Sequence, residues 1–141
     1  MHPTDDGVAA GWTVRSARDD DAQGLVALIG GVFDQYPGCV LDPDGLDADL
    51  FAWRSHLDAG GGTGWVVLDD DEVVRACVGV APVTTAVPGV PEAVHVVELK
   101  RLYVAATARR RGLGRALVAR VEDWAAQHGA GAVVLWSDTR F

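Results

Sequence analysis

Cysteine is scarce in this chain: Cys39 and Cys77 are the only two in 141 residues, far apart and in no metal-ligand pattern. That excludes a disulfide scaffold and a thiolate metal centre, and leaves two reduced, partly buried thiols as the expectation. No window has the uninterrupted apolar length of a membrane span. The segment Met1 to Gly11 is polar and acidic, without the basic-then-apolar layout of a secretory leader. These absences predict a cytoplasmic chain with a disordered lead over 1–11 and one domain over 12–141, away from any membrane. Basic residues are outnumbered, 12 against 20 acids, for a net charge of −8. A nucleic-acid binder is ordinarily basic overall. Also missing are a Walker A run, Gly-x-x-x-x-Gly-Lys-Ser/Thr, and the Gly-x-Gly-x-x-Gly dinucleotide fingerprint at the start of a βαβ unit. What is present, 49% hydrophobic and 23% charged residues over one domain length, suits a globular α/β domain with a sizeable core.

The few cations are concentrated. Lys100, Arg101, Arg109, Arg110, Arg111, Arg115 and Arg120 are seven of the twelve. The acids lie mostly in the first half, including Asp19-Asp20-Asp21 and Asp69-Asp70-Asp71-Glu72. A locally basic site on an acidic body suits a polyanionic small molecule better than a nucleic acid, and no stacking aromatics interleave the arginine run. The acidic remainder fits either a cationic amine substrate or plain solvated surface.

Trp12 to Arg18 alternates and predicts a first strand. Asp19-Asp20-Asp21 would supply N-cap and first-turn acids for a helix to about Gln35, with Leu25, Leu28, Ile29, Val32 and Phe33 at helical spacing. Gly30-Gly31 should weaken, bend or split it. Pro37-Gly38 ends it, Asp42-Pro43-Asp44-Gly45 is a turn, and Leu46 to Leu57 predicts a second helix. Trp65–Leu68 and Val73–Val80 form a hairpin across an acidic turn, with Thr84–Val87 a candidate extension. A β-branched strand, Val94 to Val104, then leads through Arg109-Arg110-Arg111-Gly112-Leu113-Gly114 into an amphipathic helix over Arg115–Ala126. A last strand, Ala132 to Trp136, follows. The order predicts a mixed sheet covered by helices, with no internal repeat.

The turn from strand to helix carries the chemistry. A glycine-rich turn opening a helix directs free backbone N–H groups outward, where the helix dipole adds partial positive charge. Gly112 and Gly114 lack Cβ and let a phosphate approach, while the arginines add forked donors. This describes a seat for a pyrophosphate. Arg109, Gly112 and Gly114 stand at the three defining positions of Arg-x-x-Gly-x-Gly, directly after a strand carrying Glu98. In this the chain resembles the GNAT acyltransferases, from about Trp12 onward and most strongly from Glu98 to Asp138. The resemblance implies a mixed central sheet flanked by helices and acetyl-CoA as acyl donor. It implies a pyrophosphate held by the amides of Arg111, Gly112, Leu113 and Gly114 and by the side chains of Arg109, Arg110, Arg111 and Arg115. It further implies a splayed strand whose residues Leu102, Tyr103 and Val104 line the pantetheine arm, with the N–H of Leu102 facing the thioester oxygen.

Glu98 stands where several family members carry a base that acts through water. Two readings stay open: a cleft-facing base, or a carboxylate neutralised by Lys100, or by Arg101 if a bulge intervenes. Tyr103 is a candidate proton donor to the leaving thiolate only if it faces the cleft. His95 is a weaker candidate base, a lone strand histidine being more often packed or at the surface, and Trp53 or Trp65 is a candidate wall of the acceptor pocket. The family ordinarily continues past the strand ending near Trp136 with another helix and two strands. The resemblance therefore implies a C-terminally truncated version of the fold, with an apolar strand edge that should self-associate, as a homodimer or by exchange of elements. Two functions follow: an N-acetyltransferase acting on a primary amine of a small molecule, peptide or protein, the acceptor unidentified; or a non-catalytic acyl-CoA-binding or regulatory module with a degenerate active site.

Overall fold

The computed structural model describes residues 11–136; the expected disordered lead lies almost wholly outside these residues. A five-stranded sheet runs in the order β1 (Thr13–Ser16), β2 (Thr63–Leu68), β3 (Val74–Pro82), β4 (Val96–Val104), β5 (Ala132–Leu135). Neighbours are antiparallel except β4 and β5, which run parallel and are joined by helix α3 (Leu113–Gln127). Helices α1 (Ala22–Phe33) and α2 (Trp53–Ala59) cover the opposite face. The mixed sheet and the element order are those that the periodicities predict. Among the described residues no helix is long and apolar enough to cross a membrane.

Two cores result, one on each side of the sheet. Leu113, Ala116, Leu117, Val121 and Ala125 recur on one stripe of α3 and bury against Val67, Val78, Val80, Val97 and Leu99. Gly129, at φ 74, closes α3: the N–H of Gly129 bonds to Ala126 and that of Ala130 to Ala125 at 2.9 Å, the double bond of a left-handed glycine stop. On the other side Leu25, Leu28, Ile29 and Val32 of α1 pack with Trp53 and Leu57 of α2 against Val66, Leu68 and Cys77. Trp53 rests on the sheet where Gly64 and Gly79 leave room: a Cβ on either would lie 3.2 or 3.0 Å from its ring.

Several expectations need correction. Helix α1 runs unbroken through Gly30 and Gly31, because its apolar stripe is anchored on both sides of them. Asp19–Asp21 form a 3-10 turn instead of capping α1 through a side chain. The Asp21 carboxylate is committed elsewhere, to Arg15 at 2.6 Å and the N–H of Arg18 at 2.8 Å. The predicted helix Leu46–Leu57 is a 3-10 segment, Ala48–Ala52, followed by α2, so Trp53 enters the core at the joint. Residues 84–87 do not extend β3, which ends at Pro82.

Candidate active site

Strand β4 organises the site. Its pairing with β3 slips: Cys77 faces Tyr103 and Gly79 faces Lys100, so one residue of β3 opposes both Arg101 and Leu102. Arg101 takes φ 55, a left-handed conformation that a non-glycine residue holds at a cost of about 1–3 kcal/mol. The bulge turns Arg101 onto the α2 face, the face Lys100 already occupies. There its guanidinium bonds Asp47 at 2.7 Å, Asp49 at 2.6 Å and the carbonyl of Leu46 at 3.2 Å. Burial disfavours the charge on Arg101, but the two carboxylates outweigh it and raise the guanidinium pKa. Asp47 also accepts from the N–H of Asp42 at 2.8 Å. The segment from Asp42 to Asp49 is thereby fastened to β4.

The partner strand β5 pairs only with Val96 to Leu99. Among the described residues, Lys100 to Val104 have no β5 partner. A cavity of ≈ 1110 Å³ opens there. Its walls include Glu98 and Lys100 to Val104 from β4, Trp53 and His56 from α2, Tyr36, Leu46 and Asp49 from the preceding segments, and Arg109. A second concavity, ≈ 490 Å³, is lined by Val104, Ala108, Arg109, Arg110 and Gly112 to Arg115. Val104 and Arg109 line both, so the two concavities adjoin between Glu98 and the start of α3.

At that start Gly112 is the N-cap residue of α3, with φ 77 and no side-chain cap. The first intrahelical bond runs from the N–H of Ala116 to Gly112 at 3.0 Å. The N–H groups of Leu113, Gly114 and Arg115 thus have no partner within the helix and point out of its end. Leu113 contributes only its backbone, since its side chain is buried under the sheet. Arg109 bonds Gln35 of the chain after α1 at 3.0 Å and so holds the loop. Arg110 sits at φ 65 beside it, while Arg111 is exposed and outside the concavity.

Glu98 lies half-buried on the cavity wall, and among the described residues it pairs with neither Lys100 nor Arg101. Arg101 goes to Asp47 and Asp49 instead, so of the two open readings the pairing with Lys100 or Arg101 is not seen among the described residues. Tyr103 lines the cavity with its ring edge-on to Phe33, centroids 5.7 Å apart. Burial raises its pKa and keeps the phenol protonated. Cys77 is fully buried, its Sγ 3.1 Å from the carbonyl of Arg101, and burial pushes its thiol up to about 12, so it is no nucleophile. Of the two tryptophans, Trp53 walls the cavity; Trp65 lies in the core beneath α3. His95 is exposed before β4, away from the cavity. The sequence singles out none of Tyr36, His56 and Leu46 as wall residues: Tyr36 follows α1, His56 stands on α2, and Leu46 lies in the loop that Arg101 fastens.

The profile described as Acetyltransferase (GNAT) family matches residues 25–140. No curated protein sequence matches the chain significantly. Among solved structures, an acetyltransferase of the GNAT family from Staphylococcus aureus Mu50 superposes with TM-score 0.77 at 14% identity, over 92% of this chain and 76% of that one. A GCN5-related N-acetyltransferase from Ralstonia eutropha JMP134 gives 0.66 at 25% identity, over 92% and 85%. Aminoglycoside N-acetyltransferase AAC(6')-Iy, in complex with CoA, gives 0.68 at 16%, over 91% and 78%. A cavity beside a bulged β4, a glycine turn opening α3 and a family profile spanning most of the residues agree, and the chain belongs to the GNAT acetyltransferase family.

Proposed function

We propose that this protein is an acetyl-CoA-dependent N-acetyltransferase that transfers an acetyl group to a primary amine of a small molecule or of a peptide or protein. The observation that carries this reading is the pair of adjoining concavities that lead from Glu98 along Lys100 to Val104 of β4 to the N-terminus of α3. The free N–H groups of α3, with Arg109, Arg110 and Arg115, suit the pyrophosphate. Arg111 contributes through its backbone or from the rim. The edge of β4 at Leu102 to Val104 suits the pantetheine amides, as an added strand would.

Acetyl transfer needs a deprotonated amine and a stabilised oxyanion. Glu98, on the cavity wall without an ionic partner among the described residues, takes the amine proton directly or through water. The nitrogen attacks the thioester carbon, whose oxygen the N–H of Leu102 receives. The C–S bond then breaks, and Tyr103, protonated and on the same wall, supplies a proton to the departing thiolate. Turnover with a panel of amines, measured beside CoA binding by calorimetry, tests the reading. Acetylation supports it; CoA binding with no turnover favours a non-catalytic acyl-CoA-binding module.

A further inference from the structure

Glu98 and Lys100 are two residues apart on β4 and leave the sheet on one face. The cross-strand partner of Lys100 is Gly79, and a Cβ there would point at Trp53 and Leu57. The shared face is therefore that of α2 and the cavity. Same-face neighbours on a strand are roughly 6.5 Å apart, within easy closing distance for two flexible side chains of opposite charge. Both are half-buried, yet among the described residues neither makes an ion pair or side-chain hydrogen bond. The other charges nearby are engaged: Asp49 with Arg101, Arg109 with Gln35. His56 reaches the same cavity from α2.

One anion and one cation, held side by side without closing on each other, form a complement for a ligand that bears both charges. A dication would meet repulsion at Lys100, and a neutral amine would leave Lys100 half-desolvated and unanswered. We propose that the acceptor is a small amine that also carries an anionic group, a carboxylate or a phosphate, with its amine at Glu98 and its anion held by Lys100. This rests on the acetyl-transfer reading above. Trp53 and Leu46 supply apolar wall for the carbon skeleton between the two charges. The cavity is shared with the thioester arm, which keeps the acceptor small.

The test measures CoA release from acetyl-CoA by the full chain with two matched amine series. One is L-phenylalanine, its amide and phenethylamine. The other is β-alanine, O-phosphoethanolamine, ethanolamine and 1,3-diaminopropane. At least one anion-bearing amine should exceed its neutral match by about tenfold or more in kcat/KM, the scale of one charge-assisted hydrogen bond. Comparing β-alanine with O-phosphoethanolamine distinguishes carboxylate from phosphate. Lys100→Met should erase the preference and Lys100→Arg keep most of it, both with the parent's CoA affinity as evidence of an intact fold. Preference for the neutral or dicationic amines overturns the proposal, as does a Lys100→Met variant that retains the anion preference. If no amine of either series is acetylated while CoA still binds, the acetyl-transfer reading itself fails, and the acceptor class with it.

Discussion

Replacing Gly114 should move stability and cofactor affinity in opposite directions. Gly114 is the second residue of α3. A Cβ there would meet only Cγ2 of Val104, at 3.7 Å, an ordinary contact. Gly112 is different: at φ 77 any side chain strains the turn, so its substitution mixes folding with binding. Gly114 is the cleaner probe. Alanine removes the entropic cost of glycine in a helix, worth up to about 1 kcal/mol in an interior and less in the first turn. Aspartate at this place gains about 0.3–1 kcal/mol from the helix dipole. Both variants should melt at or slightly above the parent's temperature, by about 1–3 °C for a chain of this length. The same Asp places a negative charge among the N–H groups proposed to hold a pyrophosphate. It should cost at least about 2 kcal/mol of CoA binding, roughly thirtyfold or more in Kd. Titration calorimetry with CoA, beside a thermal melt, reads both quantities. A folded Gly114→Asp protein with the parent's CoA affinity would refute the pyrophosphate seat.

Four further outcomes are expected. Glu98→Gln should lower kcat with CoA affinity near the parent's, and the deficit should shrink at high pH as free amine becomes abundant; a pH–rate profile parallel to the parent's removes Glu98 from base duty. Arg101→Met strands Asp47 and Asp49, whose side chains are 8% and 15% exposed, and should destabilise by about 3 kcal/mol in urea titration; a loss under about 1 kcal/mol would mean that the anchor is not holding the loop. Burial works against ionisation of Asp21, but Arg15 and the N–H of Arg18 outweigh it and hold the folded-state pKa below the ordinary value. A lowered carboxylate pKa stabilises the fold above the unfolded-state value, about 4, and that contribution fades as pH falls through the folded one. The stability gap between parent and Asp21→Asn should therefore be present at pH 7 and close under acid, and a pH-independent gap contradicts the ion pair. Val133, Leu135 and Trp136 are exposed on or just after β5, and no further strand pairs with that edge among the described residues. Sedimentation should show concentration-dependent association through that edge, and a monodisperse monomer would refute it.

The sequence by itself determined the order of strands and helices, the hairpin across Asp69 to Glu72, the break before β4 and the glycine turn that opens α3 at Gly112. These are local matters: hydrophobic period, turn residues and the free N–H groups of a helix start lie within a few residues of each other. It also put Glu98 and Lys100 on one face, since a strand repeats every two residues. It could not decide whether Arg101 neutralises Glu98, because the answer hangs on a bulge at Arg101 and on where that guanidinium goes. Its partners Asp47 and Asp49 lie more than fifty residues earlier in the chain, and nothing local ties them to β4. The same long-range anchor sets the loop that brings Leu46 to the cavity. Trp53 and Trp65 are equally apolar in the sequence, and only the faces of the assembled sheet separate them: one lies over glycines beside the cleft, the other beneath α3. Local chemistry specified the glycine turn and the free N–H groups that open α3; side chains far apart in the chain, brought together by folding, decided the shape and charge of the cavity beside it.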